Sequence, residues 1–224
     1  MALGLALGLA LAACGSGSDA SSSSDGPQVL GASTSSTSVP AVEPGDLTVA
    51  VVADSEVPDP VSELLDQQPG IHVVSMTSMQ GATMAELDPS ADAALAEDPD
   101  VLVYAGGTND LSSGPQFVLD GLHQRLTRYA AQTCVVMAVP VFRYERGTEA
   151  EVEQRTSGTR VLEDAAAADG AHVASYLDVS LAMDARGEDF FAEGELGDLH
   201  PATSSYPAIA DAIADQVRAC GDEG

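Results

Sequence analysis

Beyond residue 45 the chain is written in short apolar blocks separated by longer stretches of mixed polarity. The blocks are Leu47–Ala53, Ile71–Met76, Val101–Ala105, Cys134–Val139 and Ala171–Tyr176. Each is close to continuously apolar rather than alternating, which predicts strands covered on both faces, as in a parallel sheet. Stretches near 60–68, 82–97, 114–131 and 148–168, and a last one near 202–219, predict helices. Alternation of strands and helices predicts an α/β fold. The expected form is a three-layer α/β/α sandwich on a five-stranded parallel sheet of flavodoxin-like order. Binding and catalytic groups in such sheets gather beyond the carboxyl ends of the strands. The residues that directly follow each apolar block are therefore where chemistry is to be sought.

The first 45 residues are of a different kind. An apolar run opens the chain, too short to span a bilayer permanently but suited to the core of a signal peptide. It ends in Leu11-Ala12-Ala13-Cys14-Gly15, which resembles the lipobox of bacterial lipoproteins. That resemblance implies removal of residues 1–13, lipidation of Cys14, and anchoring to the outer face of the bacterial cell membrane. The basic segment expected of such a leader does not follow Met1, so the true start codon stays open. From Cys14 to residue 45 the composition is rich in Ser, Gly, Thr and Pro and reads as a flexible tether. Residues 46–224 are expected to form the folded domain.

Composition narrows the partners. Thirty-five acidic residues face eight arginines and no lysine, a formal net charge of −27. Such a surface repels nucleic acid, whose binding depends on cations that neutralise phosphates, and it does not dock on an anionic bilayer by charge alone. With no Trp and only 4% aromatic residues, the core must be filled by Val, Leu and Ala. With Cys14 assigned to a lipid, Cys134 and Cys220 remain. An oxidising compartment favours joining them as a disulfide, two separate buried thiols being the alternative. No Cys/His spacing resembles a zinc site. The acidic residues at 84–100 and 147–153 read as solvated helix faces, and His72, His123 and His172 as core or solvated residues.

Four segments hold residues that carry chemistry. Asp54-Ser55 follows the first block, Thr77-Ser78-Met79-Gln80-Gly81 the second, and Gly106-Gly107-Thr108-Asn109-Asp110 the third. Gly197-Asp198-Leu199-His200-Pro201 precedes the last helix. Singly, each reads as a cap or turn. Together, at one sheet edge, they supply the parts of acyl transfer: a hydroxyl nucleophile, an imidazole base to activate it, and donors for the oxyanion. There is no Gly-X-Ser-X-Gly elbow, no His-Glu-X-X-His and no phosphate-binding loop.

These segments resemble the four blocks of the SGNH (GDSL-like) hydrolases. Val51-Val52-Ala53-Asp54-Ser55 is similar to the first, Gln80-Gly81-Ala82-Thr83 to the second and Asp198-Leu199-His200-Pro201 to the last. Gly107-Thr108-Asn109-Asp110 matches the third without a mismatch. The resemblance implies Ser55 as nucleophile, His200 as base, and oxyanion donors at Ser55, Gly81 and Asn109. Three positions depart from the pattern. Ala53 replaces a Gly, Glu56 replaces a Leu and is expected to bring a charge near the nucleophile, and Gly197 stands where the triad Asp belongs. Asp198, two positions before His200, is the candidate acid after a one-residue loop shift. The other readings are a Ser–His dyad oriented by a backbone carbonyl, or an impaired site. Met76, Met79 and Met84 flank the second block, either as core or as the wall of an acyl pocket.

The reading that follows is an extracytoplasmic serine esterase acting on a small-molecule or polymer-borne ester, with no metal and no organic cofactor. The alternatives are an impaired SGNH-like module that binds envelope glycan or lipid, and an acyl or acetyl transferase.

Overall fold

The computed structural model describes residues 45–141, 149–192 and 200–222. Five parallel strands form one sheet: β1 (Leu47–Ala53), β2 (Ile71–Ser78), β3 (Val101–Ala105), β4 (Cys134–Val139) and β5 (His172–Ser175), in the order β2-β1-β3-β4-β5. This is the doubly wound, flavodoxin-like order. Among the described residues six helices cover it: α1 (Asp59–Asp66), α2 (Met84–Leu95), α3 (Pro115–Ala130), α4 (Glu149–Ala168), α5 (Tyr176–Asp184) and α6 (Tyr206–Asp222).

The pleat decides which helix lies where. Alternate strand residues face opposite sides, so the sheet buries two separate sets. Val49, Val51, Val101, Val103 and Val136 pack with Val61 and Leu65 of α1, Met183 of α5, and Ile209, Ile213 and Val217 of α6. Ala50, Val52, Leu102, Tyr104 and Met137 pack with Leu87 of α2, Leu122 and Leu126 of α3, and Leu162 of α4. Three helices on each side make the three-layer sandwich. Val, Leu and Ala make up most of both interiors, and Tyr104, Tyr129 and Tyr176 are the largest side chains fully buried in them.

The three central strands have the bounds that their apolar blocks predict, and the edges do not. β2 runs on to Ser78 and is only partly buried beyond its first two residues. As an edge strand it has a neighbour on one side only, so the expectation of burial on both faces fails there. Its register against β1 shifts between Val49 and Ala50. At the other edge β5 stops at Ser175, and Tyr176 opens α5, a helix that the apolar pattern did not predict. Ser175 caps it, its hydroxyl accepting from the Asp178 amide at 3.0 Å, and a serine in that position favours a helix start. Thr108–Ser113 and Thr203–Ser205 add short 3₁₀ segments, and α6 begins at Tyr206 rather than near 202.

Cys134 and Cys220 are joined in a disulfide with Cα atoms 5.9 Å apart. It ties the first residue of β4 to the end of α6, at the amino edge of the sheet.

Candidate active site

Ser55 leaves β1 after a single intervening residue, in a loop tied to both neighbouring strand exits. The Asp54 amide donates to the Ala105 carbonyl at the end of β3, and the Met79 amide donates to the Ala53 carbonyl, each at 2.9 Å. The Ser78 hydroxyl donates to the Asp54 carbonyl at 3.2 Å. Parallel strands deliver their exits to one edge, and these bonds lock three of them into a rim.

His200 reaches that rim from the far end of the chain. Phe191 and Pro201 form an antiparallel bridge, with the Ala192 amide donating to the His200 carbonyl at 3.1 Å and the Ala202 amide to the Phe190 carbonyl at 2.8 Å. Phe190 anchors this ribbon in the core, edge-on to Tyr176 and Phe191, with centroids 6.1 and 4.9 Å away. So held, His200 Nε2 lies 3.0 Å from Ser55 Oγ across 145 residues of sequence. That is hydrogen-bond distance between a hydroxyl and an imidazole.

The other two motif residues sit at the same place. Gly81 adopts φ +75°, a left-handed conformation that disfavours any residue with a Cβ. Asn109 is the second residue of the 3₁₀ segment that begins at Thr108, just after Gly107, itself at φ +111°. The Asn109 amide nitrogen donates to the Ala82 carbonyl at 2.9 Å and, more weakly, to Asp54 Oδ2 at 3.3 Å. Ser55, Gly81, Asn109 and His200 all line one cleft of about 800 Å³. Asp198, with Gly197, lies outside the described residues, as does Cys14.

Two buried carboxyls flank the nucleophile. Asp54 is inaccessible to solvent, and burial pushes its carboxyl from 3.8 up to about 7. The amide of Glu56 opposes that shift, nearby Asp110 adds to it, and the Asn109 amide opposes it. Glu56 is also buried. Burial, then the neighbouring Asp54, holds its carboxyl well above the ordinary value. Glu56 was expected to bring a charge near the nucleophile; its desolvation disfavours the ionised form. The Tyr176 hydroxyl donates to the Glu56 carbonyl at 3.2 Å and fixes this turn from below.

Some residues that shape the site carried no role in the sequence reading. Asp54 clamps it, accepting from the Glu56 amide at 3.0 Å with one oxygen and from Asn109 with the other. Asp110 accepts from the Met84 amide at 2.9 Å and so ties the start of α2 to the Asn109 segment. Helix starts offer unpaired amides and favour acids, so an Asp beside a site and opposite a helix start was the available signal. Met84 is fully buried and Met76 packs against the core. Among the described residues, neither they nor the exposed Met79 lines the cleft.

Residues 44–207 match the model of the GDSL-like lipase/acylhydrolase family. The chain belongs to that family. Solved structures agree on the fold. A lipase/acylhydrolase from Enterococcus faecalis shares 18% identity at a TM-score of 0.60, over 77% of this chain and 96% of its own. The acetylxylan esterase Axe2 from Geobacillus stearothermophilus shares 13% at 0.58, over 77% and 95%. A lipolytic protein of the G-D-S-L family from Desulfitobacterium hafniense shares 16% at 0.58, over 76% and 99%. No curated protein matches the chain by sequence. Membership in the GDSL-like family supports a hydrolase of ester bonds, on the five-stranded α/β scaffold described above.

Proposed function

We propose that the chain is an extracytoplasmic serine esterase whose nucleophile is Ser55 and whose general base is His200. The observation that carries this reading is the 3.0 Å approach of His200 Nε2 to Ser55 Oγ inside a ligand-sized cleft. Ser55 Oγ attacks the ester carbonyl carbon as Nε2 accepts its proton. The backbone amides of Ser55 and Gly81 and the side-chain amide of Asn109 hold the oxyanion. For Asn109 this requires giving up its long bond to Asp54, which a full negative charge outcompetes. The imidazolium then protonates the departing alcohol oxygen, leaving an acyl group on Ser55. Water, deprotonated by His200, attacks that acyl carbon, and Ser55 leaves with the proton returned. Asp198 is the residue assigned to orient Nδ1 of His200. An alcohol in place of water makes the same intermediate an acyl donor.

The amino-terminal run ending at Cys14 supports export and a lipid anchor, with residues 15–45 as the tether. Among the described residues no helix is long and apolar enough to cross a membrane. Labelling with an alkynyl fatty acid that disappears in Cys14→Ser is the expected result, and equal labelling of both would dismiss it. The net charge of −27 argues against nucleic acid as a partner.

The reading is tested by steady-state hydrolysis of 4-nitrophenyl acetate. Ser55→Ala and His200→Ala are each expected to lower kcat/KM on the order of 10³-fold or more. Variants that keep the wild-type rate, or a wild type with no activity above buffer, would leave a non-catalytic binding module.

A further inference from the structure

Cys134, His172 and Cys220 meet at the amino edge of the sheet, at the opposite edge from Ser55. The pleat brings them together. Cys134 opens β4 and shares a face with Val136, because alternate residues of a strand project to the same side. Val136 pairs with His172, which opens β5, and paired residues of neighbouring strands share a face. Val136, Ala174 and Cys220 lie in one buried cluster with Cys134 packed against it, and α6 covers that cluster through Ile213 and Val217. The last turn of α6 carries Cys220. The two sulfurs and a ring nitrogen of His172 all lie within 4.8 Å of one another.

In the oxidised chain the two sulfurs are bonded. Opened to thiols, they stand beside an imidazole, a donor set that soft ions select. Zinc takes sulfur at about 2.3 Å and imidazole nitrogen at about 2.0–2.1 Å in a tetrahedron, which sets its ligand atoms roughly 3.5–3.8 Å apart. The cysteine Cα atoms, 5.9 Å from each other, leave room for that spacing by side-chain rotation. Cys220 is buried while Cys134 and His172 are half-buried, so the ligands are shielded and an ion still has a way in. A net charge of −27 favours the approach of a cation.

We propose that Cys134, His172 and Cys220 form a redox-gated zinc site. In the reduced chain both sulfurs bind as thiolates, their protons passing to solvent; a His172 ring nitrogen is the third ligand and water the fourth. The ion then ties β4, β5 and α6 together at the seam where the disulfide ties β4 to α6. A small-molecule disulfide closes the gate by thiol–disulfide exchange. The Cys134 and Cys220 sulfurs join, their two electrons reduce the incoming S–S bond to two thiolates that take protons from water, and Zn²⁺ leaves. Sequence spacing hides the site, because its ligands stand on three separate elements.

Metal titration of the full-length chain tests this, with Cys14→Ser in every sample so that no third thiol competes. The chain is reduced with a phosphine, desalted under nitrogen and titrated with Co²⁺, then with Zn²⁺. The expected result is one Co²⁺ per reduced chain, with the thiolate charge-transfer and visible bands of a tetrahedral ion, displaced by Zn²⁺. The oxidised chain is expected to show no such bands. His172→Ala keeps the disulfide while it is prepared, and once reduced it is expected to bind at least tenfold more weakly. Zn²⁺ is expected to raise the Tm of the reduced chain and leave that of the oxidised chain unmoved. Should reduction melt the domain, Zn²⁺ is expected to restore its circular dichroism, since binding and folding are linked. A reduced chain that shows no sulfur bands, or that zinc neither stabilises nor refolds, would overturn the proposal. So would equal affinity in His172→Ala, or the same bands in the oxidised chain.

Discussion

The Cys134–Cys220 disulfide offers a perturbation that separates the stability of the scaffold from the chemistry of the site. It spans 86 residues of sequence. In the loop-closure view, opening a loop of that length restores chain entropy to the unfolded state worth about 4.6 kcal/mol at 25 °C. For a domain of this size each kcal/mol moves Tm by roughly 2–4 °C, so the Cys134→Ala/Cys220→Ala variant should melt roughly 9–18 °C below the wild type. The bond lies at the amino edge of the sheet, where Cys134 pairs with Val101 at the start of β3. Ser55 and His200 stand at the carboxyl edge. The variant should therefore keep kcat/KM within about twofold at 25 °C. Thermal unfolding followed by circular dichroism, with and without dithiothreitol, reads the first quantity, and ester hydrolysis reads the second. A chelator belongs in the reduced sample: the ligand atoms of Cys134, Cys220 and His172 lie within 4.8 Å of one another, and two thiolates with an imidazole bind soft metals. A melting shift under about 4 °C would refute the entropic argument. A large loss of rate at 25 °C would refute the separation of the two edges.

Three further predictions concern the site. Asn109→Ala should cost about 2.7–4 kcal/mol of transition-state stabilisation, the range for losing one oxyanion donor; an unchanged kcat/KM would remove Asn109 from that role. The Asp54 carboxyl, raised from 3.8 to about 7, keeps a proton in the folded state that the unfolded chain has already lost. Its contribution to stability thus falls as pH rises from about 4 to about 7, by as much as about 4 kcal/mol. Asp54→Asn should remove that slope, so urea unfolding at pH 5 and pH 8 should show a smaller drop than the wild type; equal drops would contradict the buried acid. Gly81→Ala should cost about 1–2 kcal/mol through φ alone, because a Cβ there meets nothing within 4 Å; no loss of stability in urea would argue against the left-handed turn.

The parts of the molecule that were legible in sequence are those where one physical constraint dominates. β1, β3 and β4 are packed on both faces, so their composition is forced to be apolar and their ends show as changes of composition. β2 and β5 sit at the edges, where the constraint is relaxed. Ser78 can then belong to a strand, and Tyr176, apolar enough to extend β5 on paper, begins a helix because Ser175 caps it. Among the site residues, Ser55, Gly81, Asn109 and His200 were visible as short motifs, and the structure brings them into one cleft. The clamps were not. Asp54 reads as an ordinary turn acid until the Glu56 and Asn109 amides are seen to point at its two oxygens. Glu56 reads as a charge beside the nucleophile until its burial is known. Thr203 and Tyr206, which line the same cleft, belong to no motif, since a cleft wall is assembled from separate loops and has no fixed spacing in sequence.

The account turns on Ser55 being an activated nucleophile. Intact-mass spectrometry after exposure to a fluorophosphonate measures this most directly. One phosphonyl adduct per chain, mapped to Ser55, slowed strongly in His200→Ala and missing in Ser55→Ala, is the predicted result. A wild-type chain that stays unmodified, or an adduct on another serine, would contradict it.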